Sequence, residues 1–85
     1  MKEAEFSPKF LKKVDKLKGQ EFKNVQNKIN EILLISNIDH YKNLKYNLSK
    51  FKRVHVNTSY VIIFYDKLND RIFFEDYAHH DEIYK

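Results

Sequence analysis

The hydrophobic period of this chain changes once, near its middle, and that change restricts the fold more than any single motif. Up to residue 36 apolar side chains recur at three- and four-residue spacing, whereas from residue 51 they alternate or run continuously. The first pattern lays a stripe along a helix; the second builds half-buried or fully covered strands. In "FSPKFLKKVDKLKG" the stripe is Phe10, Leu11, Val14 and Leu17. Ser7 stands where a helix needs its N-cap, Pro8 at the first helical position and Gly19 just past the end. "QEFKNVQNKINEILLIS" carries a second stripe of Phe22, Val25, Ile29, Ile32, Leu33 and Ser36. The short break at Gly19 predicts an antiparallel helical hairpin.

After the switch, "FKRVHV" places Lys52, Val54 and Val56 on one strand face and Phe51, Arg53 and His55 on the other. "YVIIFYD" is a continuous apolar run, the pattern of a central strand covered on both sides. "RIFFEDY" follows through "KLND", a turn supplied with Asn and Asp, so the three strands form an antiparallel meander. "AEF", ahead of the first helix, is long enough only for an edge strand. The expected fold is therefore α+β: an N-terminal two-helix hairpin packed on a small, mainly antiparallel β-sheet. Its 85 residues support a single domain, residues 1–85, around one modest core.

The composition removes most chemistries. One glycine cannot build a phosphate-cradling loop, and the absence of cysteine excludes disulfides, zinc–thiolate sites and thiol catalysis. Neither an N-terminal apolar segment nor a membrane-length apolar run occurs, so a cytoplasmic protein without a membrane anchor is expected. No serine sits in a nucleophile-elbow context. The carboxylates Glu75, Asp76, Asp81 and Glu82 cluster in an acidic end that reads as a solvated turn.

Charge is unevenly spread. Residues 1–65 carry 13 basic and 6 acidic side chains, residues 66–85 carry 3 and 6. Residues 42–55 hold five Lys or Arg, one His and no acid. Such a surface concentrates polyanions. Arg53 and His55 lie about 7 Å apart on one strand face, with Lys45, Lys50 and Lys52 close in sequence. The tail "AHHDEIYK" adds His79, His80 and Tyr84. Adjacent residues of a strand point to opposite faces, and consecutive His–His–Asp–Glu is not a zinc spacing, so no metal site and no cofactor are expected. What remains is acid–base chemistry on a phosphodiester. RNA supplies its own 2′-hydroxyl nucleophile, and a ribonuclease then needs only a base, an acid and cations.

The order of features resembles a known family. A helical hairpin, then "NLKYNLSKFKRVHV", "SYVIIFYD" and "DRIFFEDYAHHDEIYK", is similar over nearly the whole chain to the RelE/ParE superfamily of toxins from toxin–antitoxin pairs. For RelE-type members the resemblance implies a metal-independent endoribonuclease cutting mRNA on the ribosome; for ParE-type members it implies DNA gyrase inhibition without catalysis. Either is neutralised by a small, acidic cognate antitoxin encoded nearby. Leu44 and Lys45 match the family's Leu-Lys, Arg53 its first strand arginine, Tyr60 its tyrosine and Tyr84 its terminal tyrosine. His55 stands where a second basic residue is usual, His79 matches the family histidine, and His80 falls where many members have arginine. The resemblance thus implies catalytic roles for Arg53, His55, His80 and Tyr84, with His79 secondary, and phosphate contacts from Lys45, Lys50, Lys52 and Arg53. Two departures stand out: Tyr46 replaces a glycine, and Val61 replaces an arginine implied to touch the scissile phosphate. The second leaves open a degenerate toxin that only binds its antitoxin.

Overall fold

Ser7 joins three parts of the molecule. Its backbone N–H donates to Phe74 O (2.9 Å), closing the end of strand β1, Glu3–Phe6. Its hydroxyl accepts from Phe10 N (2.9 Å), capping helix α1, Pro8–Val14, and donates to Glu75 O (2.6 Å) on the neighbouring strand. The expected N-cap and the proline at N1 are both present.

The computed structural model describes residues 2–67 and 70–83. Helix α2 spans Gly19–Leu34. Four further strands follow: β2 at Lys42–Asn43, β3 at Lys52–His55, β4 at Tyr60–Lys67 and β5 at Arg71–His79. The sheet order is β1-β5-β4-β3-β2, with β1 parallel to β5 and every other pairing antiparallel. The expected meander is β3-β4-β5. Strand β2 went unforeseen because two residues show no period, and the parallel β1 pairing joins segments nearly 70 residues apart.

The first helix is shorter than its pattern predicts. It ends at Val14, and Leu17 N turns back onto Val14 O (3.0 Å). Gly19 therefore does not end α1; at φ +59° it opens α2. A left-handed residue is needed there to redirect the chain, and only glycine adopts it without a Cβ penalty.

One sheet face, the helices and Tyr41 enclose the main core: Phe10, Val25, Ile32, Ile62, Phe64, Ile72 and Phe74 are almost fully buried. Phe6, Phe10 and Phe74 stack with centroids 5.2–5.7 Å apart. On the opposite face Leu44, Val61 and Ile63 form a smaller cluster backed by Leu48, Phe51 and Ile83. Strand β4 is thus covered on both faces, as its unbroken apolar run predicts.

The β4–β5 ladder slips once. Ile63 faces Asp76 and Phe64 faces Phe74, which leaves Glu75 without a partner. This bulge exchanges the faces of every later residue of β5. Tyr77 and His79 pair with Ile62 and Tyr60 on the helix side, while Ala78 pairs with Val61 on the other.

Replacing Ser7 with alanine removes the cap and the bond to Glu75 O, and it should lower unfolding free energy by about 1–2 kcal/mol in urea titrations. A second expectation concerns Tyr41, whose hydroxyl donates to Glu31 Oε2 (3.1 Å). Burial, then the Glu31 bond and charge, push its pKa from 10.0 to about 12. The neutral form is favoured in the fold, so its contribution is complete below pH 10 and is lost as pH rises towards 12. Over that window wild type should lose on the order of 2 kcal/mol more than Tyr41→Phe, measured by urea denaturation at each pH.

Candidate functional site

Two of the cations and two of the histidines singled out from the sequence converge on the second sheet face. An open cleft of about 440 Å³ is lined by Lys45, Arg53, His55, Thr58, His80 and Ile83. Arg53 and His55 come from β3, opposite Ile63 and Val61, so they rise from the apolar cluster beneath them. Lys45 precedes a 3-10 turn, Tyr46–Leu48, anchored by Leu44 N donating to Phe51 O (2.9 Å). Tyr46 holds φ +62°, a left-handed conformation that explains why the family pattern has glycine at this position.

Thr58 is carried by the β3–β4 turn. Asn57 Oδ1 accepts from Ser59 N and Tyr60 N, both at 2.8 Å, and fixes its shape. On the other side, His80 N donates to Ser59 O (2.8 Å), tying the tail to the same turn. The His55 and His80 rings end 6.5 Å apart, tilted by 45°. Arg53 has no carboxylate partner among the described residues, so its guanidinium is available to an anion.

The tail does not behave as extended chain. Strand β5 ends at His79, and a 3-10 turn, His80–Glu82, begins at once. The turn stacks the His79 and His80 rings, with centroids 4.5 Å apart and planes 28° apart. His79 also sets its ring edge against Tyr60, which stacks on Tyr77. Asp81, read from sequence as a solvating residue, contacts both imidazoles at Nδ1. Its backbone N–H donates to His79 Nδ1 (3.1 Å), and its carboxylate lies 3.0 Å from His80 Nδ1 and 3.6 Å from His79 Nδ1. Adjacent histidines do not diverge here, because the backbone leaves the strand between them. The donor atoms of His79, His80 and Asp81 all lie within 4.8 Å of one another.

Other expected residues fall elsewhere. Lys52 points through the helix face and is buried; its ammonium donates to Asn43 Oδ1 (2.9 Å) and pairs with Asp39 (3.4 Å). Its alternation with Arg53 already placed it on the wrong side of the strand for a shared phosphate. Lys50 rests over the rings of Phe51 and Tyr65 at 5.1 and 5.0 Å, beside the cleft rather than in it. Val61 is fully buried and gives the cleft no cation in place of the family arginine. His79 lines a neighbouring pocket with Lys13, Lys16, Tyr60 and Tyr77. Tyr84 lies outside the described residues. Thr58 and Ile83 were missed because neither belongs to a pattern; only the tertiary path brings them in.

No protein-family model matches the chain. It is 42% identical over 89 aligned positions to a Methanocaldococcus jannaschii protein provisionally named toxin RelE4, an alignment that covers 100% of this chain and 93% of the relative. The isolated RelE toxin of Escherichia coli superposes with a TM-score of 0.75 at 16% identity, over 99% of this chain and 92% of that one. RelE in the intact E. coli RelBE toxin–antitoxin complex gives 0.74 at 16% identity, over 93% and 96%. Two helices on a five-stranded mixed sheet are thus the RelE toxin fold. With that identity along its full length, the chain belongs to the RelE/ParE superfamily, as a toxin of a toxin–antitoxin system.

The geometry separates two roles for neighbouring lysines. Lys45→Ala and Arg53→Ala should each weaken binding of single-stranded RNA and lower the salt dependence by roughly one counterion, read by fluorescence anisotropy across salt concentrations. Lys52→Ala should leave that slope intact and instead cost about 1–2 kcal/mol of stability.

Proposed function

We propose that this toxin is a metal-independent endoribonuclease that cleaves mRNA bound to the ribosome. The observation that carries the reading is the pairing of two imidazoles, His55 and His80, across a cleft floored by apolar side chains and lined by Lys45 and Arg53. A phosphodiester placed there has a proton acceptor and a proton donor on different elements. One imidazole takes the 2′-hydroxyl proton, O2′ attacks phosphorus, and the P–O5′ bond breaks as the other imidazolium protonates O5′. The products are a 2′,3′-cyclic phosphate and a 5′-hydroxyl. Arg53 holds the phosphoryl oxygens bidentately and Lys45 adds a point charge, both favouring the charge that builds during attack. Asp81 orients His80 through the 3.0 Å contact at Nδ1, leaving Nε2 for the substrate. Tyr84 stacks on a base or assists proton transfer, and His79 supports His80.

The antitoxin is a small acidic protein from an adjacent gene. A groove with an apolar floor of Leu44, Leu48, Phe51, Ile63, Ala78 and Ile83, edged by Lys9, Glu75, Asp76 and Glu82, adjoins the cleft and shares Ile83 with it. A segment seated there covers the basic surface of residues 42–55 as well, which is how one partner neutralises the toxin. A gyrase inhibitor acting by binding alone has no use for two opposed imidazoles, and the cleft favours catalysis for that reason.

Purified protein incubated with ribosomes and mRNA should release fragments ending in cyclic phosphate. His55→Gln and His80→Gln should each slow cleavage by about 10²–10⁴-fold, the usual value of one acid or base. Full-rate cutting by both variants would exclude the assignment. Absence of cutting by wild type, with unchanged antitoxin binding, would mark a degenerate toxin, and loss of gyrase supercoiling without cutting would mark a ParE-type inhibitor.

A further inference from the structure

The 3-10 turn that ends β5 does more than aim His80. We propose that His79, His80 and Asp81 form a site for one divalent transition-metal ion, with Zn²⁺ the fitting probe, and that an ion bound there shuts the cleft by occupying His80. The inhibitory half of the proposal rests on the ribonuclease reading above; the binding half does not.

The donor set is two imidazole nitrogens and one carboxylate, a combination that suits borderline metals and leaves a fourth position open. Tetrahedral zinc holds such donors at about 2.0–2.2 Å, which sets them roughly 3.3 Å from one another. The two Asp81 carboxylate oxygens already lie close to that value, Oδ1 at 3.0 Å from His80 Nδ1 and Oδ2 at 3.6 Å from His79 Nδ1, so the carboxylate faces both nitrogens, one oxygen to each. The third edge of the triangle needs only a small ring rotation, since all three donors fall within 4.8 Å.

The framework is ordered on both sides. His79 is braced by the Tyr60 ring, itself stacked on Tyr77 at 5.1 Å, and His80 is fixed through its backbone bond to Ser59 O. Rings held in place lose little entropy on ligation. Two costs oppose binding. The Asp81 N–H bond to His79 Nδ1 must yield to the ion, and Lys45, Arg53, Lys13 and Lys16 surround the two histidines with positive charge. Both costs hold the affinity below that of a structural zinc site.

The chemical consequence is direct. With the ion on Nδ1, His80 keeps its Nε2–H: it has no lone pair there to accept the 2′-hydroxyl proton, and it is a far weaker acid towards the leaving oxygen than the imidazolium it replaces. The ion displaces any proton held at the nitrogens it takes, so acidification should release it.

Zinc is titrated into the full chain by isothermal calorimetry near neutral pH, in a buffer that does not chelate. One ion per chain is expected, weakened at least tenfold by His79→Gln and by Asp81→Asn, each checked for native circular dichroism. Magnesium should give no heat. In the ribosome assay zinc should suppress wild-type cleavage, and the residual cleavage of Asp81→Asn, whatever its level, should be insensitive to it. Absent binding, or binding equally strong in both variants, overturns the site. Binding as described with zinc-insensitive wild-type cleavage overturns the switch. A zinc-binding chain that never cleaves RNA upholds the site and removes the ribonuclease reading instead.

Discussion

The unpaired Glu75 in β5 is the constraint on which the arrangement of the functional face depends. A β-strand alternates faces strictly, so a single inserted residue moves everything beyond it to the other side. Without the slip opposite Ile63 and Phe64, Tyr77 would leave the helix side and Ala78 would take its place. The large aromatic would lose its core position, and the turn that presents His80 would start from the opposite face. The bulge is held by Ser7, whose hydroxyl accepts from Phe10 N while donating to Glu75 O. One side chain thus couples the start of α1 to the register of a strand 68 residues away.

The cleft illustrates how a small protein builds a polar site without sacrificing its core. Arg53 and His55 stand on a strand whose neighbour, β4, is buried on both faces, so their backbone is rigid although their side chains reach solvent. His80 and Thr58 come from turns, but both turns are tied down: Asn57 fixes one, and the bond from His80 N to Ser59 O fastens the other to it. Flexible segments positioned by a rigid sheet are a common home for catalytic groups. The shared Ile83 joins this cleft to the apolar groove beside it, which gives an occupant of the groove a physical route to the active groups.

Charged residues in the same short segment have separate fates. Lys52 and Arg53 are adjacent, yet one is buried against Asp39 and Asn43 while the other opens on the cleft. Lysine tolerates the buried position because its long stem packs and its ammonium still finds acceptors. The same alternation failed as a guide at His79 and His80, where the strand had already ended. A rule of side-chain direction holds only as far as its secondary structure extends.

Read alone, the sequence was enough for the α+β class, the cap at Ser7, the central strand β4 and a basic face carrying Arg53 and His55. These are local or periodic properties, and periodicity follows from backbone geometry whatever the surroundings. The helix stop at Val14, the bulge at Glu75, strand β2 and the parallel pairing of β1 were beyond it. The bulge and the parallel pairing depend on contacts between segments nearly 70 residues apart, which no local pattern encodes, while the helix stop and the two-residue β2 are too short to show a period. The cleft lies between the two: its histidines and cations were legible as residues, but their convergence, and the contact of Asp81 with both imidazoles, belongs to the tertiary structure.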